Sequence, residues 1–77
     1  MYNIEIYDAG VYSYEKADTF SEAKWRIIEL GNAAHEKLST NKTPDMRTLL
    51  NNNEYAIIGK HENVWFSARI KEQWNIR

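Results

Sequence analysis

Apolar residues recur at helical spacing in one stretch of the chain and at strand spacing on both sides of it. From Phe20 to Leu38 the residues Phe20, Ala23, Ile27, Leu30, Gly31, Ala34 and Leu38 fall within one arc of about 100° on a helical projection, the width of a core-facing stripe. Glu22, Arg26, Glu29, Glu36 and Lys37 fall on the other side. Thr19 and Glu22 make an S/T-x-x-E capping pattern, which starts the helix near Phe20. Arg26, four residues after Glu22, has the spacing of an exposed ion pair. Gly31-Asn32 has the composition of a C-cap, and an interior glycine costs about 1 kcal/mol relative to alanine. Ala34 and Leu38 nevertheless keep the phase, so the helix is expected to run on to Leu38, with Gly31 letting helix and sheet approach closely.

Ahead of the helix, residues 2–7 alternate, with Tyr2, Ile4 and Ile6 on one face and Asn3, Glu5 and Tyr7 on the other. Residues 11–16 alternate around Tyr12 and Tyr14. A two-residue Ala9-Gly10 turn would set Ile6 against Ser13 and Ile4 against Glu15. A three-residue Asp8-Ala9-Gly10 loop, with Gly10 left-handed in a bulge, sets Ile6 against Tyr12 and Ile4 against Tyr14. The second register keeps apolar residues together and is the one expected. It leaves Asn3, Glu5, Tyr7, Val11, Ser13 and Glu15 on the far face.

Beyond the helix, Thr43-Pro44-Asp45 reads as an N-cap, a proline at the first helical position and an acidic first turn. A short second helix over about 44–51 is expected, with Met46, Leu49 and Leu50 as its apolar residues and Asn51-Asn52-Asn53 ending it. A second hairpin follows, from Glu54 to about Glu72 around residues 59–63. Val64, Phe66, Ala68 and Ile70 share one face and Trp65, Ser67, Arg69 and Lys71 the other. Residues 54–59 are apolar on both faces, as an inner strand is. A four-residue loop matches Tyr55 and Ile57 to the Val64/Phe66 face and a three-residue loop matches Ala56 and Ile58. The four-residue loop is preferred, and both place Asn63 in the left-handed conformation that Asn tolerates. The terminal segment 73–77 is too apolar for a solvated tail, and Trp74 is expected to pack. The order ββ-α-(α)-ββ gives an α+β fold: a small four-stranded, mainly antiparallel sheet with one main helix on one face and the other face partly open.

Seventy-seven residues make one domain, and a chain of this size buries only roughly 60% of the surface it exposes unfolded. The three Trp, five Tyr and two Phe must supply much of its packing. The absence of cysteine removes disulfides and thiolate metal sites and fits a reducing cytoplasm. Residues 1–6 lack the basic and apolar regions of a signal peptide, and no run approaches the ~20 apolar residues of a membrane span. Ten basic and eleven acidic residues give a net charge of −1 with the signs interspersed, which disfavours a polyanionic partner.

Two surfaces emerge as candidate binding sites. Trp25 sits about 140° from Phe20 on the helix, beside Glu29, on the side away from the sheet. It is either an aromatic anchor for a partner or the residue over which the second helix or the terminal segment folds. Tyr7 and Trp65 fall on the face away from the main helix with Arg69 and Lys71 nearby. Such a face can dock a protein, form a homodimer, stack nucleic-acid bases, or simply pack its aromatics across strands. Arg69 and Lys71, with Lys16 at the edge, are few cations for binding phosphates. His35 and His61 lack companions at metal spacing, and no nucleophile elbow, P-loop or dinucleotide fingerprint is present, so no metal, cofactor or catalytic residue is expected.

The composition is rich in Asn, Ile, Glu, Lys and Tyr, as AT-rich codons encode. Very short, cysteine-free chains without an active site are common among bacteriophage and mobile-element accessory proteins. The expected function is a non-catalytic protein-binding module that inhibits a larger host protein, of defence or regulation, by occluding a surface in the cytoplasm. A nucleic-acid-binding regulator using the open sheet face, and a self-associating structural subunit, are the alternatives.

Overall fold

A computed structural model describes residues 1–40 and 46–72; the expectations for Thr43-Pro44-Asp45 and for Trp74 lie outside the described residues. Five strands and one helix follow in the order β1 (Tyr2–Asp8), β2 (Val11–Ala17), α1 (Phe20–Thr40), β3 (Arg47–Leu50), β4 (Glu54–Ile58) and β5 (Val64–Glu72). The strands form one antiparallel sheet in the order β2-β1-β5-β4-β3. The fold is therefore α+β with a sheet of five strands, not four.

The helix phase is as the spacing predicts. Ala23, Ile27, Gly31 and Ala34 are buried, and they meet Ile4, Ile6, Tyr55, Ile57, Phe66, Ala68 and Ile70 from the sheet. Thr19 Oγ1 accepts from the Glu22 N–H at 3.1 Å, while the Glu22 carboxylate reaches back to the N–H of Asp18 at 3.2 Å, one residue beyond the capping threonine. Glu22 is thus committed to the cap. Arg26 turns instead to β2, donating from Nε and Nη2 to the two carboxylate oxygens of Glu15 at 2.7 and 3.0 Å, with Glu29 at 3.4 Å from Nη1. Gly31 lies against the ring of Tyr55, where any added Cβ would collide with the ring carbons.

The first hairpin takes the register that apolar matching argued against. Asp8 pairs with Val11, Ile6 with Ser13 and Ile4 with Glu15. The turn is the two residues Ala9 and Gly10, both at positive φ (51° and 89°), the combination of a type I′ turn, whose twist suits flanking strands. Mixing apolar and polar residues costs little here because β2 lies at the sheet edge. Ser13 and Glu15 line a wide groove of about 490 Å³ between α1 and the first hairpin, and Arg26 satisfies Glu15. Tyr12 and Tyr14 consequently leave the core and stand on the far face with Tyr7, whereas Val11, Ser13 and Glu15 are on the helix side. Because Ala9 carries a left-handed conformation that an L-residue adopts at a cost of about 1–2 kcal/mol, Ala9→Asn should raise stability by ~1 kcal/mol in denaturant melts. Gly10→Val should lower it by more than ~1 kcal/mol.

Residues 47–50 are a strand, not the second helix. With only three apolar residues, a helix here would bury little, whereas β4 is apolar on both faces and offers a free edge. Pairing Arg47 with Ile58, Thr48 with Ile57, Leu49 with Ala56 and Leu50 with Tyr55 fills that edge and overrides local propensity. The Asn triplet forms the connecting turn, in which Asn51 Oδ1 accepts from the Asn53 N–H at 3.1 Å. Lys24 of the helix donates to the carbonyls of Asn51 and Asn52 at 2.7 and 3.1 Å, tethering that turn.

The second hairpin contains both anticipated registers. Near the turn Gly59 faces Asn63 across a three-residue loop, and Ile58 pairs with Val64. Beyond it Ile57 pairs with Phe66 and Tyr55 with Ala68, the register of the four-residue loop. Trp65 is the extra residue of the bulge that reconciles them. The left-handed residue is Glu62 (φ 63°), not Asn63. Across the bulge, Val64 moves to the open face, away from Phe66, Ala68 and Ile70.

The open face of the sheet as a candidate protein interface

The side of the sheet away from α1 has no covering layer among the described residues. Strand alternation assembles it from Asn3, Glu5 and Tyr7 of β1, Tyr12, Tyr14 and Lys16 of β2, Arg47 and Leu49 of β3, Ala56 and Ile58 of β4, and Val64, Trp65, Ser67, Arg69 and Lys71 of β5. Two hollows mark it. One, of about 350 Å³, is lined by Tyr7, Tyr12, Leu49, Ala56, Ile58 and Val64 with Glu5, Glu54, Ser67 and Arg69 at its polar side. The other, of about 390 Å³, lies at the turn end between Tyr7, Val64 and Trp65. Tyr7 lines both.

The aromatic residues are held in place. The Tyr7 and Tyr12 rings lie 5.0 Å apart, a cross-strand pair, and the Tyr14 hydroxyl donates to Glu5 at 3.4 Å. Trp65 lies with its indole over Gly59, where a side chain would occupy the space of Nε1. Its backbone carbonyl accepts from the Ala9 N–H at 3.3 Å, so the bulge is pinned to the first turn.

Away from the β2 edge, where Lys16 stands, the cations on this face are paired with carboxylates. Arg69 sits 3.3 Å from Glu54, Lys71 3.4 Å from Glu5, and Arg47 donates to both carboxylate oxygens of Glu62 at 2.8 and 2.9 Å. The cations are exposed, so these pairs contribute little stability, but each carboxylate competes with any phosphate for its cation.

Of the five residues singled out from sequence, the structure brings Tyr7, Trp65 and Arg69 onto one face and leaves Trp25 and Glu29 on the helix, across the sheet from them. Trp25 is 70% exposed and borders a groove of about 280 Å³ with Phe20, Ser21, Lys24, Ile28 and Asn52. No described residue folds over it as a second helix would have. Sequence reasoning missed Tyr12, Tyr14, Leu49 and Val64 as members of the open face, whereas the preferred four-residue loop already set Ile58 on the side opposite Phe66. The Ala9-Gly10 turn was the available signal for the two tyrosines.

The Glu15–Arg26 pair is the clearest electrostatic feature on the helix side. The guanidinium, through its two hydrogen bonds and its charge, holds the Glu15 carboxyl below the usual carboxylate range against an opposing effect of burial, and the pair raises Arg26 further above its ordinary value. A depressed carboxyl stabilises the fold above the unfolded-state pKa and loses that contribution as pH falls through the lower folded-state value. Glu15→Gln should therefore cost up to about 1 kcal/mol near neutral pH. In melts recorded at decreasing pH, the gap from the parent chain should close below the ordinary carboxylate range.

No group of three or more His, Cys, Asp or Glu able to hold a metal occurs among the described residues, and no described helix is long and apolar enough to cross a membrane. No protein-family model matches the chain, and no curated protein or solved structure matches it either.

Proposed function

We propose that this chain is a non-catalytic protein-binding module whose open sheet face docks on a larger protein and occludes the surface it covers. The observation that carries the reading is a continuous face of three tyrosines, a tryptophan, Leu49, Ile58 and Val64 that no described residue covers, and on which Arg47, Arg69 and Lys71 are each paired with a carboxylate while Lys16 stands at the edge. Tyrosine and tryptophan are among the residues most enriched at binding hot spots. A base-stacking sheet for single-stranded nucleic acid would need free cations beside its aromatics. Here Arg47, Arg69 and Lys71 each lie against a carboxylate. The short, cysteine-free chain and its composition favour a phage or mobile-element accessory protein acting on a host defence or regulatory enzyme. Trp25 supports a second docking surface, because it is the most exposed large apolar side chain among the described residues and borders its own groove.

Affinity capture with the parent chain and with Tyr7→Ala, Leu49→Ala and Trp25→Ala tests the reading. A protein retained in stoichiometric amount should be lost on truncating Tyr7, which should cost about 2 kcal/mol or more, roughly thirtyfold in Kd. Its retention should change little between low and moderate salt. Loss with Trp25→Ala alone would move the interface to the helix. Capture of nucleic acid with steep salt dependence would replace the reading by the nucleic-acid one.

A further inference from the structure

The two edges of the sheet differ. β3 is four residues long, and its first residue, Arg47, is clamped to Glu62. β2 is seven residues long and pairs without irregularity along its whole length with β1, and it contains no proline, the residue that commonly blunts an edge. Val11, Tyr12 and Tyr14 on it are 66%, 61% and 65% exposed.

The hairpin geometry fixes which backbone groups of β2 face outward. In an antiparallel ladder, residue pairs that exchange both hydrogen bonds alternate with pairs that exchange none. A two-residue turn closes on a hydrogen-bonded pair, here Asp8 and Val11. Val11, Ser13, Glu15 and Ala17 therefore direct their N–H and C=O groups to β1. Tyr12, Tyr14 and Lys16 direct theirs away from the sheet.

We propose that this edge is completed by β2 of a second copy of the chain, antiparallel, about a two-fold axis passing between the two Tyr14 residues. Such an axis, normal to the sheet, keeps both helices on one side, so open-face residues meet open-face residues. Of the axis positions that satisfy this, only those at Ser13, Tyr14 and Glu15 pair most of the strand. An axis at Glu15 sets two carboxylates directly opposite each other, which is destabilising. An axis at Ser13 runs Lys16 against Gly10 of the turn and leaves Ala17 unused. An axis at Tyr14 engages all seven residues: Tyr14 meets Tyr14, Tyr12 meets Lys16, Ser13 meets Glu15 and Val11 meets Ala17. The outward-facing residues Tyr12, Tyr14 and Lys16 then form the hydrogen-bonded pairs, and an ammonium lies beside a tyrosine ring twice. No like charges oppose each other, and Arg26 neutralises Glu15 from the helix side. The assembly is closed, because each copy uses its β2 edge once. The open faces of the two copies become one surface on which Tyr7, Tyr12 and Tyr14 continue across the axis.

Sedimentation of the full chain across ~1 µM to ~1 mM should show its mass shifting from one chain to two with concentration. Tyr14→Pro removes from the β2 backbone only an outward N–H, together with an exposed hydroxyl contact to Glu5, and so should keep the hairpin while abolishing the dimer. Tyr14→Lys, a change at an exposed side chain, places two ammonium groups on the axis and should abolish it too, should the proline variant fail to fold. Because the chain has no cysteine, Tyr14→Cys reports the register directly: a hydrogen-bonded antiparallel pair has its Cα atoms about 5.5 Å apart, within disulfide range. It should link two chains under mild oxidation at concentrations where Glu36→Cys, on the exposed helix side, does not. A parent chain that stays monomeric throughout, folded Tyr14 variants that dimerise as the parent does, or Tyr14→Cys linking no faster than Glu36→Cys would each overturn the proposal.

Discussion

Ile27→Ala should cost about 2–5 kcal/mol in denaturant melts, whereas Glu29→Ala, two positions along the same helix, should change stability by less than ~0.5 kcal/mol. Ile27 is fully buried, in the cluster that joins the helix to Ile4, Ile57, Phe66 and Ala68. Its truncation removes apolar contact from both layers at once, and the sheet beneath, pinned by ladders on either side, has little freedom to collapse into the void. Glu29 makes only a 3.4 Å contact with Arg26, whose stronger partner is Glu15. Equal costs for the two substitutions would mean that the helix presents a different face. In a domain of this length the loss from Ile27→Ala is a large part of the whole margin, so the variant should melt at a markedly lower denaturant concentration with an unchanged slope.

Gly31→Val should destabilise by about 3 kcal/mol, and Gly31→Ala by less, despite the better helix propensity of both replacements. On an isolated helix, alanine in place of glycine would be worth about 1 kcal/mol of stabilisation. Here the added carbon enters the space of the buried Tyr55 ring, and the ring cannot swing aside without giving up the hydrogen bond from its hydroxyl to Asn32 Oδ1 at 3.2 Å. Steric cost therefore exceeds propensity gain. The paired variant Gly31→Ala with Tyr55→Ala should recover part of the loss, a coupling that thermal or chemical melts of the four chains would measure.

The sequence revealed those features in which one residue type has one physical use. The helix was legible because six apolar positions share a phase that no strand can produce, and the glycine within that phase pointed to close approach. The inner strand was legible from its apolar residues on both faces. The first hairpin was misread because tyrosine suits a core and a half-open face equally well, so matching Tyr12 and Tyr14 to Ile4 and Ile6 looked favourable. Turn twist decided against it, and the cost of placing Glu15 opposite Ile4 was removed by Arg26, eleven residues further on in sequence. The strand at 47–50 was hidden for a related reason: its partner, β4, was read only as half of a hairpin, and proline, acid and leucine spacing described a local helix well. The open face inherited both errors. Tyr7, Trp65 and Arg69 were placed on it correctly, while Tyr12, Tyr14 and Leu49 came from the two misread segments and Val64 from the bulge that the second hairpin's sequence did not reveal.

The strand order carries a consequence for how the chain is made. The middle of the sheet joins β1 to β5, the first and last strands in sequence, along seven residue pairs from Tyr2–Glu72 to Asp8–Phe66. A ribosome that has delivered β1, β2 and α1 has delivered a hairpin and a helix whose shared partner does not yet exist, so Ile4, Ile6 and Ile27 wait for Phe66, Ala68 and Ile70. Contacts of such long sequence separation are slow to form and leave apolar surface open meanwhile. Cooperative folding should therefore begin only after synthesis has passed residue 72. Nascent chains stalled before β5 should be digested by protease, and those stalled far enough beyond it for β5 to leave the exit tunnel should resist.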